Sequence, residues 1–111
     1  MNPARLSILL LEDEPFDAEL ITEQLKTLDD YACDITWAKD HDTFVAALDS
    51  NCPDIILSDY NLTGFNGLDA LKIVNERKML VPFIFVTGAL DEETAVNTIK
   101  AGAWDYVVKD R

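Results

Sequence analysis

The sequence predicts an α/β protein, a doubly wound parallel sheet of five strands, on two observations. Five short apolar runs, each too brief for a helix, punctuate the chain. Between them lie segments whose apolar residues recur at spacings of three and four. Strand alternating with helix implies right-handed crossovers and a parallel sheet. At 111 residues the chain makes one domain. A domain of this size buries roughly two-thirds of its unfolded surface, enough for a core.

The first run is Leu6-Ser7-Ile8-Leu9-Leu10-Leu11, ended abruptly by Glu12-Asp13-Glu14. Pro15 is favoured in the first turn of a helix, and Phe16, Leu20, Ile21, Leu25 and Leu28 mark that helix. Ile35 and Trp37 predict a short second strand at an edge of the sheet. Phe44, Val45 and Leu48 mark the second helix, capped by Asp40 or Asp42. Ile55-Ile56-Leu57 reads as a buried third strand, with Ser58 and Asp59 at its carboxyl end. Asn61, Thr63, Gly64, Asn66 and Gly67 then supply a turn. A helix starts at about Gly67 and carries Leu68, Leu71 and Val74.

Pro82-Phe83-Ile84-Phe85-Val86 is the fourth strand, running into Thr87-Gly88-Ala89. Asp91 is a good N-cap for the next helix, with Glu92 and Glu93 at the positive end of its dipole. That helix carries Ala95, Val96 and Ile99, stops near Gly102, and is the least apolar of the four, so the most free to shift. Trp104-Asp105-Tyr106-Val107-Val108 is the fifth strand, and Lys109-Asp110-Arg111 closes the chain. One more helix is expected to cover a face of the sheet. The chain is therefore expected to be a fragment of a longer multidomain protein, its final helix absent or truncated.

Nine basic and 21 acidic residues give a net charge of −12. That balance argues against direct binding to nucleic acid or an anionic membrane, and suits a metal cation or a basic partner surface. No apolar run approaches the ~20 residues of a membrane span. The amino terminus lacks the small-residue cleavage site of a secretory signal, so a cytoplasmic location is expected. Cys33 and Cys52 each precede a predicted strand. If those strands flank the first, the thiols lie ~9–10 Å apart, beyond the ~7 Å reach of a disulfide. Both are expected to be free, as in a reducing compartment.

Ligands of an open α/β sheet bind at the carboxyl ends of its strands. Those ends bring Glu12 and Asp13, Asp59, Thr87 and Lys109 to one edge. Crowded carboxylates resist full ionisation, and a hard divalent cation such as Mg²⁺ relieves them. A hydroxyl and a Lys beside an open coordination position suit a phosphoryl group. Asp59 is then the natural nucleophile, because a carboxylate can carry phosphoryl as an acyl phosphate. Each residue also has a plainer reading. Glu-Asp-Glu can be a solvated helix cap, Asp59 can open an Asx-turn, Thr87 can be a strand end, and Lys109 a surface charge. What favours function is that each ends a different apolar run, in register with one edge.

The whole chain resembles the response-regulator receiver domain of two-component systems, in the CheY-like superfamily. LLLEDEPFDAEL is similar to that family's first strand, acidic pair and helix, and DIILSDYNLTGFNGLDAL to its phosphoacceptor segment. FIFVTGA is similar to its Thr strand and AGAWDYVVKD to its Tyr-x-x-Lys strand. The resemblance implies a flavodoxin-like sheet of order 2-1-3-4-5. It implies that Asp59 accepts phosphoryl from a phosphohistidine on a histidine kinase or histidine phosphotransfer protein. Asp13, Asp59 and the backbone carbonyl of Asn61 are then expected to bind Mg²⁺, with Glu12 acting through water. Thr87 and Lys109 are expected to contact the phosphoryl oxygens, and Tyr106 to be the switch aromatic. Family experience ties the lifetime of the acyl phosphate to the side chains of Asn61 and Ala89. Phosphorylated receivers often pair through the fourth helix and fifth strand, so a dimer is one expected response.

Two positions depart from the family. Thr63 stands where Pro is frequent, which affects loop stiffness, and Asp110 stands where Pro usually follows the Lys, which removes the easy route to a cis peptide there. Lys-Asp-Arg at this place resembles receivers joined to sensor-kinase or other signalling modules. Trp104 is expected to lie exposed near the fifth strand, either packed on a further helix or contacting a partner, and His41 to be a surface residue. One rival reading is a haloacid-dehalogenase-type phosphatase, because Asp59-Tyr60-Asn61-Leu62-Thr63 resembles the Asp-x-Asp-x-Thr loop. Asn61 replaces that family's acid/base, and its nucleophile follows the first strand, not the third. The other rival is a pseudo-receiver that only binds partners.

Overall fold

The computed structural model describes residues 4–88 and 92–109. Among these residues, strands β1 (Ala4–Leu11), β2 (Tyr31–Ala38), β3 (Ile55–Ser58), β4 (Phe83–Thr87) and β5 (Asp105–Val108) alternate with four helices. These are α1 (Pro15–Leu25), α2 (His41–Ser50), α3 (Gly67–Glu76) and α4 (Glu92–Lys100). All neighbouring strands pair in parallel, in the order β2-β1-β3-β4-β5. This is the doubly wound, flavodoxin-like arrangement that the alternating pattern and the resemblance imply.

β1 is central, and its apolar run is buried on both sides. Leu9 and Leu11 pack with Phe44 and Leu48 of α2, Leu71 and Val74 of α3, and Phe83 and Phe85 of β4. Ile8 and Leu10 face the other way, onto Ala18 and Ile21 of α1 and Leu57 of β3. Each fully buried aliphatic side chain of this kind contributes roughly 1.5–3 kcal/mol. On the α1 side the cover thins toward β5. Ile84 and Val86 are half-buried there, and Val107, paired with Val86, is exposed.

The helix starts follow local chemistry. Asp40 caps α2 in a capping box with Thr43, and Asn66 caps α3 in another with Asp69. Glu14 precedes Pro15 as the N-cap of α1, its carboxylate accepting from the Phe16 N–H. Gly67 sits where β3 runs into α3, and a Cβ there would lie 2.5 Å from the Asp59 carbonyl oxygen and 2.5 Å from Phe85 Cε1. Only glycine fits that approach without a shift of the backbone.

Several sequence expectations need correction. β2 spans eight residues, paired with β1 along its whole length, and Cys33 lies within it instead of before it. Both cysteines are free, as expected. Phe16 is exposed, and Leu28 falls beyond the end of α1. The named Ile21 is buried, and the helix turns Asp17 and Ala18 inward with it. On α4, Val96 and Ile99 are exposed while Ala95 and Thr98 are buried, the Thr98 hydroxyl donating to the Ala95 carbonyl. That local bond satisfies the hydroxyl and lets a polar residue occupy the core side. β5 begins at Asp105, and Trp104 is exposed. His41 is a surface residue, its ring edge-on to Phe65. The Asp91 cap, Ala89 and the Asp110 departure lie outside the described residues.

Candidate functional site at the carboxyl edge

The sheet register builds the site. Leu11 pairs with Ser58, so the next residues, Glu12 and Asp59, leave the sheet side by side. The Asp59 N–H extends the ladder to the Leu11 carbonyl at 2.9 Å. Across the sheet Thr87 pairs with Val108, and the Lys109 N–H donates to the Thr87 carbonyl. On the far side Glu12 is tied to β2 twice. Its N–H donates to the Ala38 carbonyl at 3.0 Å, and its carbonyl accepts from the Trp37 indole N–H at 2.6 Å.

Lys109 crosses the edge to join these ends. Its Nζ lies 2.8 Å from Glu12 Oε2, 3.0 Å from Asp59 Oδ2 and 3.0 Å from Asp17 Oδ2, and its side chain is 7% exposed. An ammonium has three N–H donors, and here each has a carboxylate. Burial opposes the charge of Lys109. The hydrogen bonds to Glu12, Asp17 and Asp59 outweigh that and hold the ammonium above the usual lysine range.

Glu12 is almost fully buried. Burial pushes its carboxyl from 4.5 up to about 7, against the opposing pull of Lys109 and the Glu14 N–H, with the Asp59 charge adding to the rise. Asp13 is half-buried and accepts from the Thr63 N–H at 2.9 Å, which ties the β1–α1 turn to the β3–α3 turn. Asp59 Oδ1 accepts from the Asn61 N–H at 3.1 Å. The Asx-turn and the convergent site are therefore both present, and one residue serves both.

Oxygens of Glu12, Asp13 and Asp59 come within 4.8 Å of one another. A buried acid reluctant to ionise, beside two more carboxylates, has the donor chemistry of a hard divalent cation site. Thr87 is fully buried, and its Oγ1 has no hydrogen-bond partner among the described residues. An orphaned buried hydroxyl costs about 1–3 kcal/mol, which a ligand oxygen would recover. Tyr106 is partly exposed on β5, where it lines a groove with Ala95, Val96 and Ile99 of α4.

The structure thus brings Glu12, Asp13, Asp59 and Lys109 together, with Thr87 and Asn61 beside them, while Tyr106 lies earlier on β5, paired with Phe85 of β4. Sequence reasoning missed Asp17. An acid in the first turn of a helix reads as a favourable dipole partner, and no local signal marks it as buried against Lys109.

A family model for the response regulator receiver domain matches residues 8–111. The nitrogen assimilation regulatory protein NtrX of Azorhizobium caulinodans is 33% identical over 92% of this chain and 22% of its own length. The transcriptional regulator NtrC of Salmonella typhimurium is 40% identical over 59% of this chain. The chain spans only 14% of that relative. Among solved structures, the response regulator TrrA of Thermotoga maritima, in complex with Mg²⁺–BeF, matches with a TM-score of 0.80 at 25% identity. That match covers 95% of this chain and 87% of TrrA. No helix among the described residues is long and apolar enough to cross a membrane.

Proposed function

Because this chain belongs to the response regulator receiver domain family of two-component signalling, we propose that Asp59 accepts a phosphoryl group from a phosphohistidine on a partner. That partner is a histidine kinase or a histidine phosphotransfer protein. The observation that supports this best is the meeting of Asp59 with Lys109 at 3.0 Å, on the edge where the buried Thr87 hydroxyl has no partner among the described residues.

One Asp59 oxygen attacks phosphorus. The P–N bond to the imidazole breaks, and the nitrogen leaves with the electron pair. The product is an acyl phosphate. Asp13, Asp59 and the main-chain carbonyl of Asn61 are the residues that would hold Mg²⁺, with Glu12 acting through water. The ion, when bound, supplies neutralising charge to the carboxylates and the phosphoryl oxygens. The Mg²⁺–BeF complex of TrrA supports the same ion here. Lys109 and Thr87 donate hydrogen bonds to the phosphoryl oxygens. Reversal to the resting state needs water to attack phosphorus and release the Asp59 carboxylate.

Phosphorylation adds roughly −1.5 to −2 of charge at the edge. That charge draws the Thr87 hydroxyl, which has no partner among the described residues in the resting position. The space it leaves on the α4 side of β4 is the place for Tyr106 to turn inward. The α4–β5 face then changes shape, and this is the surface a partner or a second copy reads.

The domain is a regulatory module whose own chemistry is its phosphorylation and dephosphorylation. We place it in the cytoplasm, within a longer parent that is either a response regulator or a hybrid kinase. The open flank beside α1 is the surface that a further segment of such a parent would cover.

Intact mass after incubation with acetyl phosphate and Mg²⁺ tests the assignment. The wild type gains one phosphoryl mass, Asp59→Ala gains none, and omitting Mg²⁺ abolishes the gain. Magnesium binding without any phosphoryl gain, from acetyl phosphate or from a phosphorylated histidine donor, would leave only the partner-binding role.

A further inference from the structure

One buried acid at the edge has no part in the mechanism above. Asp17 of α1 is 6% exposed, and its Oδ2 lies 3.0 Å from Lys109 Nζ. It is not among the three carboxylates whose oxygens cluster as a cation site. Burying such a charge is unfavourable unless it is paired, and Lys109 pairs it.

We propose that Asp17 is a positioning residue that acts through Lys109, holding one of its N–H donors and so restraining the pull of the ammonium on an incoming phosphoryl group. The inference rests on the reading of Asp59 as phosphoacceptor. In the resting protein the three donors of Lys109 go to Glu12, Asp17 and Asp59. As the bond from an Asp59 oxygen to phosphorus forms, the bond from phosphorus to the donor's leaving group breaks, and that group departs with the electron pair. The charge of the Asp59 carboxylate passes to the phosphoryl oxygens. Only the donor that faced Asp59 is free to follow it, because Glu12 and Asp17 keep the other two. Asp17 also adds a negative charge near the path of an anionic donor, in a site where burial weakens solvent screening.

Asp17→Asn keeps the shape and removes the charge, and Asp17→Glu keeps the charge. Phosphoryl gain from acetyl phosphate is timed by intact mass at saturating Mg²⁺. The Mg²⁺ affinity is measured by isothermal titration, and melting temperatures are recorded alongside. The Asn variant should gain phosphoryl roughly three- to ten-fold faster than wild type, and the Glu variant should return to the wild-type rate. Asp17 offers the ion no ligand atom, so the Mg²⁺ dissociation constant should stay within about two-fold in both.

An Asn variant as slow as wild type overturns the inference. So does a Glu variant as fast as Asn, which would mean that packing and not charge is at work, or a rate gain that follows altered Mg²⁺ affinity. If the Asn variant does not fold, Asp17→Ser, also neutral and smaller, carries the same expectation. Failure of both to fold makes Asp17 a purely structural residue. Wild-type protein that takes no phosphoryl removes the Asp59 reading, and this inference with it. Wild-type gain beside an unresponsive Asn variant removes only this inference.

Discussion

The Lys109 ammonium sits 3.0 Å from the Asp59 carboxylate, across fifty residues of sequence and with β4 between their strands. It is also the cation that Glu12 and Asp17 share. Much of the electrostatic balance at the carboxyl edge therefore depends on one side chain.

Lys109→Met should unfold easily without metal. The substitution leaves Glu12, Asp17 and Asp59 buried with no ammonium between them. Losing one partner of a buried ion pair costs about 3–5 kcal/mol, or roughly 12–40 °C of melting temperature for a domain of this size. Thermal melts with and without Mg²⁺ check this. The loss should be smaller with Mg²⁺, and an unchanged melting temperature would contradict the buried network.

Glu12 makes the metal-free fold sensitive to pH. The folded state favours its protonated form, so that contribution is fully present below about pH 4.5 and is lost as pH rises through about 7. Over this window the protein should lose up to roughly 3 kcal/mol. Melts at stepped pH on the wild type and on Glu12→Gln isolate the effect. The Gln variant should show a flatter profile, and parallel profiles would mean that Glu12 titrates normally.

Thr87→Val should stabilise the resting protein while disabling the switch. The valine methyl replaces a buried hydroxyl that has no partner among the described residues, at a strand position where a β-branched side chain fits. A gain of about 1 kcal/mol is expected. Phosphorylation should then no longer alter the environment of Tyr106, which NMR of the ring reports. A destabilised Val variant would show that the hydroxyl is already bonded.

Gly67→Ala should damage the site from behind. The new methyl would meet the Asp59 carbonyl oxygen and Phe85 Cε1, each at 2.5 Å. Overpacking of this kind costs about 1–3 kcal/mol. Because it pushes on the Asp59 backbone, Mg²⁺ affinity should fall together with the melting temperature. Titration calorimetry and thermal melts read the two effects. Normal Mg²⁺ binding in a destabilised protein would separate the turn from the site.

Much of the architecture is legible in the chain because its signals are local. Ile55-Ile56-Leu57 reads as a short buried strand from its length and β-branched start, and Asn66 and Asp40 sit where caps belong. Glu12, Asp59 and Lys109 each stand just past an apolar run, so a parallel sheet necessarily brings them to one edge. The proposed phosphoryl chemistry at Asp59 rests on the resemblance together with this convergence.

Other features were decided only by packing. Val96 and Ile99 carry a helical apolar pattern, yet they face outward while Thr98 is buried with its hydroxyl bonded to the Ala95 carbonyl. Phe16 is apolar and exposed, whereas Asp17 beside it is charged and buried. Periodicity reports which residues share a side of a helix, but the side that turns inward is set by what waits there. For Asp17 that is an ammonium from the last strand, 92 residues away. The sequence by itself determined the order of elements and the residues at the strand ends. The tertiary structure alone decided how one lysine is divided among three acids and left the Thr87 hydroxyl without a partner among the described residues, because both depend on distances between segments that no local pattern encodes.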